Sequence, residues 1–151
     1  MPYPDSAFGF DNPEDSPGFL LWQTTITWQR LIKKALDVHN ISHAQFVIMA
    51  VLLWFEEHQQ NSTQISISRL SKLDKMTVSK ALRKLVGQGY ITREESPKDT
   101  RAKWVALTPQ GKQLVSKLIP IVEGIDDQFF SVIDKNDQKK LIQIFNRILT
   151  Y

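Results

Sequence analysis

The chain has 151 residues, 42% of them hydrophobic, and a net charge of +3. This length and composition predict one domain with a substantial core. Because the chain contains no cysteine, disulfides, thiolate metal sites and a thiol redox switch are excluded.

The first segment, residues 1–18, is predicted to be a turn-rich arm that is flexible or covers a partner subunit. It contains four prolines, four acidic residues and no basic residue, whereas a secretory signal begins with a basic region and an apolar core. The longest apolar run, residues 46–55, has about half the length that crosses a bilayer. We therefore expect a cytoplasmic protein with no membrane partner.

Two helices are predicted next in the chain. The first, residues 19–38, spaces its apolar side chains as an amphipathic helix does. Ser42 and Gln45 form a capping-box pattern that begins a central helix, residues 42–60. This second helix is apolar on almost every side, so we expect it to be buried on all sides as the hub of the fold.

Residues 63–107 follow the order of a winged helix-turn-helix. Thr63 is a predicted N-cap for a short amphipathic helix, and a turn follows it. Asp74 is a predicted N-cap for a second helix over residues 75–86. In a helix-turn-helix, this second helix is the one that enters a DNA groove.

The wing is predicted directly after the second helix. Gly87 and Gly89 are expected to end that helix in left-handed conformations. Two strand-like runs, residues 90–93 and 103–107, then flank a polar tip. The usual partner of this arrangement is duplex DNA.

The second helix has an apolar face and a basic face. At 100° per residue, four apolar side chains share one side: Val78, Ala81, Leu82 and Leu85. On and beside the opposite face we expect phosphate contacts from three cations: Lys80, Arg83 and Lys84. Near the helix start we expect three side chains to approach base edges: Met76, Thr77 and Ser79. Lys75 is suited to either role, and an ordinary solvated face is the alternative for this helix taken alone.

The charge of the chain is unevenly distributed. Residues 72–112 hold ten Lys and Arg against four Asp and Glu, a net charge of +6, whereas the rest of the chain has a net charge of −3. A basic segment in a neutral-to-acidic body is typical of a nucleic-acid-binding protein.

The tip of the wing, residues 96–101, contains an acid two positions before an arginine. In an extended backbone Asp99 and Arg101 lie on the same side, so Asp99 can orient the guanidinium. We expect Lys98 and Arg101 to reach a minor groove, where the potential is most negative. Taken alone, Asp99 and Arg101 are an ordinary surface ion pair.

The C-terminal part of the chain, residues 109–151, is predicted to be helical. Thr108 and Pro109 are a typical helix start, Pro120 is expected to bend or interrupt the helix, and Asp134 caps a last helix. With residues 19–38, these helices carry more apolar surface than one small lobe can cover. A two-fold homodimer is the economical arrangement, and a monomer in which these helices complete the core is the alternative.

Several of these segments together resemble the MarR family of bacterial regulators. They are residues 63–64, 74–85, 89–91, 99–101 and 107–111, and the Asp-x-Arg tip with the Leu-Thr-x-x-Gly exit is the most specific pair. The resemblance covers residues 19–150. It implies a fold that is mainly α with a small β-wing (α+β), in which a winged helix-turn-helix lobe is joined to N- and C-terminal dimerisation helices within a single domain, residues 19–151.

The resemblance also implies a function. A regulator of this kind is a homodimer whose recognition helices enter successive major grooves while the wings reach flanking minor grooves. We therefore expect a repressor that binds double-stranded DNA at a palindromic operator.

A small-molecule effector is a further expectation from the resemblance. Family members often bind aromatic or amphipathic ligands in a crevice between the dimerisation helices and the DNA-binding lobe. The candidate lining residues are Trp22, Trp28, His43 and Phe46. At helical spacing, aromatic side chains are more often plain core, and that is the alternative.

Other functions have weaker support in the sequence. His39 and His43 are separated by an expected helix break, so no metal site is predicted, and no cofactor is expected. No phosphate loop, nucleophile elbow or paired-carboxylate pattern is present, so an enzyme is not predicted. A winged helix that binds another protein is the main competing function, although protein interfaces usually bury few lysines. An RNA-binding domain is a third alternative, but no aromatic stacking platform accompanies the basic face.

Overall fold

The computed structural model describes residues 5–95 and 103–150. Its described part contains six α-helices, one 3-10 turn and three short strands. The helices are α1 (Pro17–Asp37), α2 (His43–Glu57), α3 (Gln64–Ser71), α4 (Lys75–Gly87), α5 (Pro109–Phe130) and α6 (Lys135–Ile148). The strands are β1 (Ser62–Thr63), β2 (Ile91–Glu95) and β3 (Lys103–Leu107). The predicted fold class, mainly α with a small β-wing, is confirmed.

The predicted N-caps are confirmed by hydrogen bonds that their side chains accept from backbone amides. The Asp74 carboxylate accepts from the Thr77 amide at 2.8 Å, and the Thr63 hydroxyl accepts from the Ser66 amide at 3.1 Å. Ser42 and Gln45 form the expected reciprocal capping box. These caps are local interactions between residues three apart, which is why the sequence alone predicts them.

The wing strands belong to a three-stranded antiparallel sheet in the order β1-β3-β2. Ile91 pairs with Leu107, and Arg93 pairs with Val105. The two-residue strand β1 pairs Ser62 with Val105 on the other edge of β3. The sequence did not predict β1, because its formation depends on pairing with a distant part of the chain.

Helix α2 is the hub of the core and contacts α1, α3, α4, α5 and β3. Its fully buried apolar residues include Ile48, Met49 and Leu52. The expectation that every side of α2 is buried is wrong at its C-terminal end, where Trp54 is 55% exposed. The Trp54 ring stacks on the ring of His58, which is also exposed, with 3.9 Å between ring centroids. The last turn of α2 therefore lies largely outside the core.

Two backbone predictions need correction. Gly87 lies within α4, and only Gly89, with φ of +81°, adopts the left-handed region. Of the two outcomes expected at Pro120, the interruption does not occur, because α5 is one helix from Pro109 to Phe130. Helix α1 begins at Pro17, two residues earlier than expected, because Ser16 caps it by accepting from the Phe19 amide at 3.2 Å.

The terminal helices leave apolar side chains uncovered. Helix α6 has no buried residue, although it is strongly amphipathic. At the start of α1, four consecutive apolar side chains are exposed: Phe19, Leu20, Leu21 and Trp22. None of the helices described is both long enough and apolar enough to span a membrane.

Candidate nucleic-acid interface and ligand crevice

The start of α4 is held by the Asp74 side chain. Its carboxylate accepts from the Thr77 amide and from the Thr77 hydroxyl, both at 2.8 Å. These hydrogen bonds, first that from the Thr77 backbone, hold the pKa of Asp74 below its ordinary value. The charged carboxylate at the helix N-terminus fixes the position of the first turn of α4.

The two faces of α4 are divided as expected. The four predicted core residues, Val78, Ala81, Leu82 and Leu85, are buried. Met76 is 83% exposed, and the four cations of the helix are exposed: Lys75, Lys80, Arg83 and Lys84. Thr77 and Ser79 are half-buried at the edge of this face. The outward surface of α4 therefore carries four positive charges and no acidic residue.

The helix-turn-helix is fixed by polar contacts in its turn. Lys72 ends α3 in the left-handed region with φ of +63°. The Ser68 hydroxyl donates to the Leu73 carbonyl oxygen at 2.6 Å, and the Leu73 amide donates to the Ser71 hydroxyl at 3.2 Å. The turn is thus held without a glycine.

Two long-range contacts orient the lobe and were missed by sequence reasoning. The Arg93 guanidinium of β2 donates to the Gln64 side-chain oxygen of α3 at 2.7 Å, which joins the wing to the helix-turn-helix. Gln45 of α2 donates from Nε2 to Oε1 of Gln88 at 2.7 Å, at the end of α4. No local sequence pattern distinguishes these side chains from solvated ones.

The wing-tip residues expected to reach a minor groove, Lys98, Asp99 and Arg101, lie outside the described residues. The strands on either side of them are paired up to the Glu95–Lys103 pair.

The four residues expected to line one cavity lie in different surroundings. A crevice of about 640 Å³ lies between α1, the α1–α2 connection and α4, and of the four only His43 lines it. Phe46 is buried in the core instead. Trp22 is 64% exposed near the start of α1. We call this cavity the α1–α4 crevice.

Trp28 lies behind the crevice and joins α1 to α5. Its indole Nε1 donates to Asp126 Oδ1 at 2.7 Å, and its ring meets the His43 ring edge-on at 5.0 Å between centroids. Asp126 is therefore a half-buried acceptor. This group of three residues fixes α1, α2 and α5 relative to one another.

The pKa of His43 lies below its ordinary value of 6.5, because burial disfavours the charged ring more than the Asp126 carboxylate favours it. The unfolded chain then binds more protons than the folded chain below about pH 6.5. We expect stability to fall as the pH falls through this range and His43→Gln to reduce that fall. Thermal unfolding from about pH 5 to 8 measures it, and equal slopes in the two proteins would contradict the assignment.

Comparison with known proteins places this geometry in a family. The model of the ArnR1-like winged-helix domain matches residues 37–124. The chain is 38% identical over 128 residues to the uncharacterized HTH-type transcriptional regulator YdcH of Bacillus subtilis (strain 168), covering 85% of this chain and 87% of that protein.

Solved structures share the fold. The regulator BpsR of Bordetella bronchiseptica, whose DNA binding is regulated by 6-hydroxynicotinic acid, superposes with a TM-score of 0.84 at 20% identity, covering 95% of this chain and 99% of that one. A MarR mutant from E. coli in complex with operator DNA superposes with a TM-score of 0.78 at 20% identity, covering 90% of this chain and 96% of that one.

These relatives are transcriptional regulators, so the prediction that the chain is not an enzyme is confirmed. The family model covers more than half of the chain, and the strands and helices match those of MarR structures over nearly its whole length. The chain belongs to the MarR family of winged helix-turn-helix transcriptional regulators.

Proposed function

We propose that this protein is a homodimeric repressor that binds a palindromic operator in duplex DNA. The observation that carries the proposal is the outward face of α4, which has four exposed cations and no acid. A helix with this face is suited to a major groove lined by phosphates and base-edge acceptors. In this proposal the protein acts in the cytoplasm, where the operator is.

Each part of the α4 face has its own proposed role. Lys80, Arg83 and Lys84 contact phosphates, while Met76, Thr77 and Ser79 approach base edges and Lys75 serves either purpose. The Thr77 hydroxyl donates to Asp74, which leaves its oxygen lone pairs to accept from a base. At the wing, Asp99 orients Arg101, and Arg101 and Lys98 reach the minor groove.

The proposed dimer is supported by the terminal helices. The apolar residues of α6 and of the start of α1 are exposed in a single chain, and a soluble protein rarely leaves such surfaces uncovered. A second copy of the chain covers them, and its two-fold axis matches the symmetry of a palindromic site. In this arrangement residues 19–38 and 109–151 are the dimerisation helices.

Release from DNA by a small ligand is the last part of the proposal. The α1–α4 crevice has the volume of a small-molecule site, and DNA binding by the structurally similar BpsR is regulated by 6-hydroxynicotinic acid. A ligand in the crevice contacts both a dimerisation helix and the recognition helix, so its binding is able to alter the fit to DNA.

Selection of bound duplexes from a random DNA pool tests the proposed function. We expect enrichment of a palindrome whose half-sites are about one helical turn apart. A folded protein that enriches no duplex would instead support the alternative function, a winged helix that binds another protein.

The salt dependence of operator binding tests the role of α4. Arg83→Gln is expected to weaken operator binding. It is also expected to flatten the slope of log affinity against log salt concentration by about 0.9 for each phosphate contact that is lost, and each protomer of the dimer loses one such contact. Lys139→Gln on α6 is the matched control, because it removes one positive charge from a distant exposed position. Equal slopes for Arg83→Gln and the wild-type protein would contradict the phosphate contact.

A further inference from the structure

The start of α4 presents two hydrogen-bond acceptors side by side, Asp74 and Thr77, which we call the acceptor pair. Asp74 is the N-cap of the helix and is exposed, and Thr77 is half-buried one turn further along. The Thr77 amide donates to Asp74 Oδ1 and the Thr77 hydroxyl donates to Asp74 Oδ2, both at 2.8 Å. These hydrogen bonds fix the two side chains relative to each other.

The direction of the hydroxyl bond follows from the charge of Asp74. The bonds from the Thr77 amide and then from its hydroxyl hold the pKa of Asp74 below its ordinary value. The carboxylate is therefore ionised at neutral pH and can only accept hydrogen bonds. Because the Thr77 proton is committed to Asp74, the Thr77 oxygen can only accept from a further partner, and the carboxylate oxygens also retain accepting capacity.

The acceptor pair differs from the rest of the outward face of α4. Lys80 and Lys84 follow Thr77 at spacings of three and four residues on the same side of the helix, and a lysine ammonium is only a donor. Among the described residues, no lysine or arginine forms an ion pair with Asp74. Lys75 is exposed beside it and offsets its repulsion by phosphates. The first turn of α4 thus offers acceptors, whereas the later turns offer donors.

Base edges in the major groove differ in what they present to such a pair. Cytosine presents an amino donor, adenine an amino donor beside the N7 acceptor, guanine two acceptors, and thymine an acceptor and a methyl group. A guanine or thymine oxygen would face the acceptor pair without a shared proton, and an unpaired polar group costs free energy once water is excluded. Cytosine fits best, because adenine places N7 next to its amino group.

From this geometry we infer that Asp74 and Thr77 select one base in each operator half-site by accepting from its exocyclic amino group, and that this base is cytosine in preference to adenine. The selection rests on the proposed function, since it requires α4 to lie in a major groove. Asp74 is then both the cap of α4 and a specificity-determining residue.

Selection of bound duplexes with variants of Thr77 tests the choice of base. Thr77→Val replaces the hydroxyl with a methyl group and keeps the backbone amide that Asp74 caps. We expect one position in each half-site to be enriched in cytosine by the wild-type protein and by Thr77→Ser, and to lose most of this preference in Thr77→Val. Ser79→Ala, which removes a nearby half-buried hydroxyl, is the control and leaves that position unchanged.

Two results of this selection overturn the inference. The first is that no position changes in Thr77→Val. The second is that the position that changes is one at which the wild-type protein prefers guanine or thymine.

Operators that carry cytosine or uracil at this position test the amino group itself. Uracil paired with adenine presents an oxygen where cytosine presents its amino group, and it lacks the methyl group of thymine. We expect the wild-type protein to bind the cytosine operator about tenfold more tightly and Thr77→Val to lower this ratio. Equal affinity of the wild-type protein for the two operators overturns the inference.

Asp74→Asn separates base selection from capping. Asn is as good an N-cap as Asp, so we expect a similar melting temperature. The Asn side-chain NH₂ donates to the Thr77 oxygen, which releases the Thr77 proton to donate to a base. The ratio of cytosine to uracil affinity therefore falls, whereas the loss of a cap alone weakens both operators equally. An unchanged ratio in Asp74→Asn overturns the role of Asp74.

The outcomes separate base selection from the proposed function. If no duplex is enriched, the proposed DNA binding fails, and base selection fails with it. If a palindrome is enriched and its base preferences do not depend on Asp74 and Thr77, base selection alone fails and the proposed function stands.

Discussion

Gly111→Ala is expected to destabilise the protein by about 3 kcal/mol, the upper end of the usual cost of overpacking. Gly111 lies buried in the first turn of α5, and a Cβ placed there would overlap the backbone carbonyl oxygen of Tyr90 and lie 2.9 Å from its carbonyl carbon. That oxygen accepts from the Thr108 amide at 3.0 Å, and the Thr108 hydroxyl donates to the Gly89 carbonyl oxygen at 2.7 Å. Because backbone on both sides is held by hydrogen bonds, neither side moves away easily.

For a protein of this size, such a destabilisation lowers the melting temperature by about 6–12 °C. Gly124→Ala in the same helix is the matched control, since nothing lies within 4 Å of a Cβ at that position. We expect the control to raise stability by up to about 1 kcal/mol, the helix preference of Ala over Gly. An unchanged melting temperature in Gly111→Ala would contradict the close approach of α5 to the strand entering the wing.

The double substitution Ile142→Glu with Phe145→Glu is expected to separate the proposed dimer. Both side chains lie on the apolar face of α6, and Ile142 is 60% exposed in a single chain. Burying two unpaired carboxylates in an apolar interface costs more free energy than burial of the remaining apolar surface provides. Light scattering is expected to give a mass near 17.4 kDa for the variant, the mass of one chain, and twice that value for the wild-type protein.

Dissociation of the dimer also lowers operator affinity. With one recognition helix instead of two linked ones, we expect a decrease of about a hundredfold or more, because the second half-site no longer binds intramolecularly. Asn136→Glu with Gln143→Glu is the control, since it places two carboxylates at exposed positions on the opposite face of the same helix. A wild-type mass of one chain, or a control that dissociates equally, would exclude α6 as the interface.

Local patterns in the sequence determined much of the fold. The caps at Ser42, Thr63 and Asp74, and the apolar stripe of α4, depend on residues three or four positions apart. Such interactions are complete within one turn of helix, so they are visible in the sequence. The family resemblance depended on the same local motifs, and it led to the correct winged helix-turn-helix lobe.

The predictions from the sequence were wrong where one local pattern is compatible with two backbone structures. Gly87 was expected to end α4 in a left-handed conformation, but it is the last helical residue, and Gly89 adopts the left-handed conformation instead. Pro120 removes one hydrogen bond from α5, yet the packing of α5 against α1 and α2 keeps the helix whole. For α5, contacts with other helices decided between the outcomes.

At the candidate ligand site too, local patterns predicted the helices, whereas the tertiary structure decided which side chains line the cavity. The sequence placed aromatic side chains on the right helices, but it did not say which of them face a cavity. Phe46 joins the core, while Trp28 turns toward Asp126 on α5, 98 residues away in the chain. The crevice itself is lined by cations and polar groups, among them Arg30, Ser42 and Lys84, from segments that only the fold brings together.

The sequence by itself thus determined the starts of α2 to α6, the buried face of α4, the wing strands and the family. Only the tertiary structure decided the third strand, the Gln45–Gln88 and Arg93–Gln64 contacts, the close approach at Gly111 and the charge of the crevice. The physical reason is distance along the chain. Periodicity and capping depend on neighbours within one or two turns, whereas cavities, long-range hydrogen bonds and steric limits depend on which distant segments the packed core places side by side.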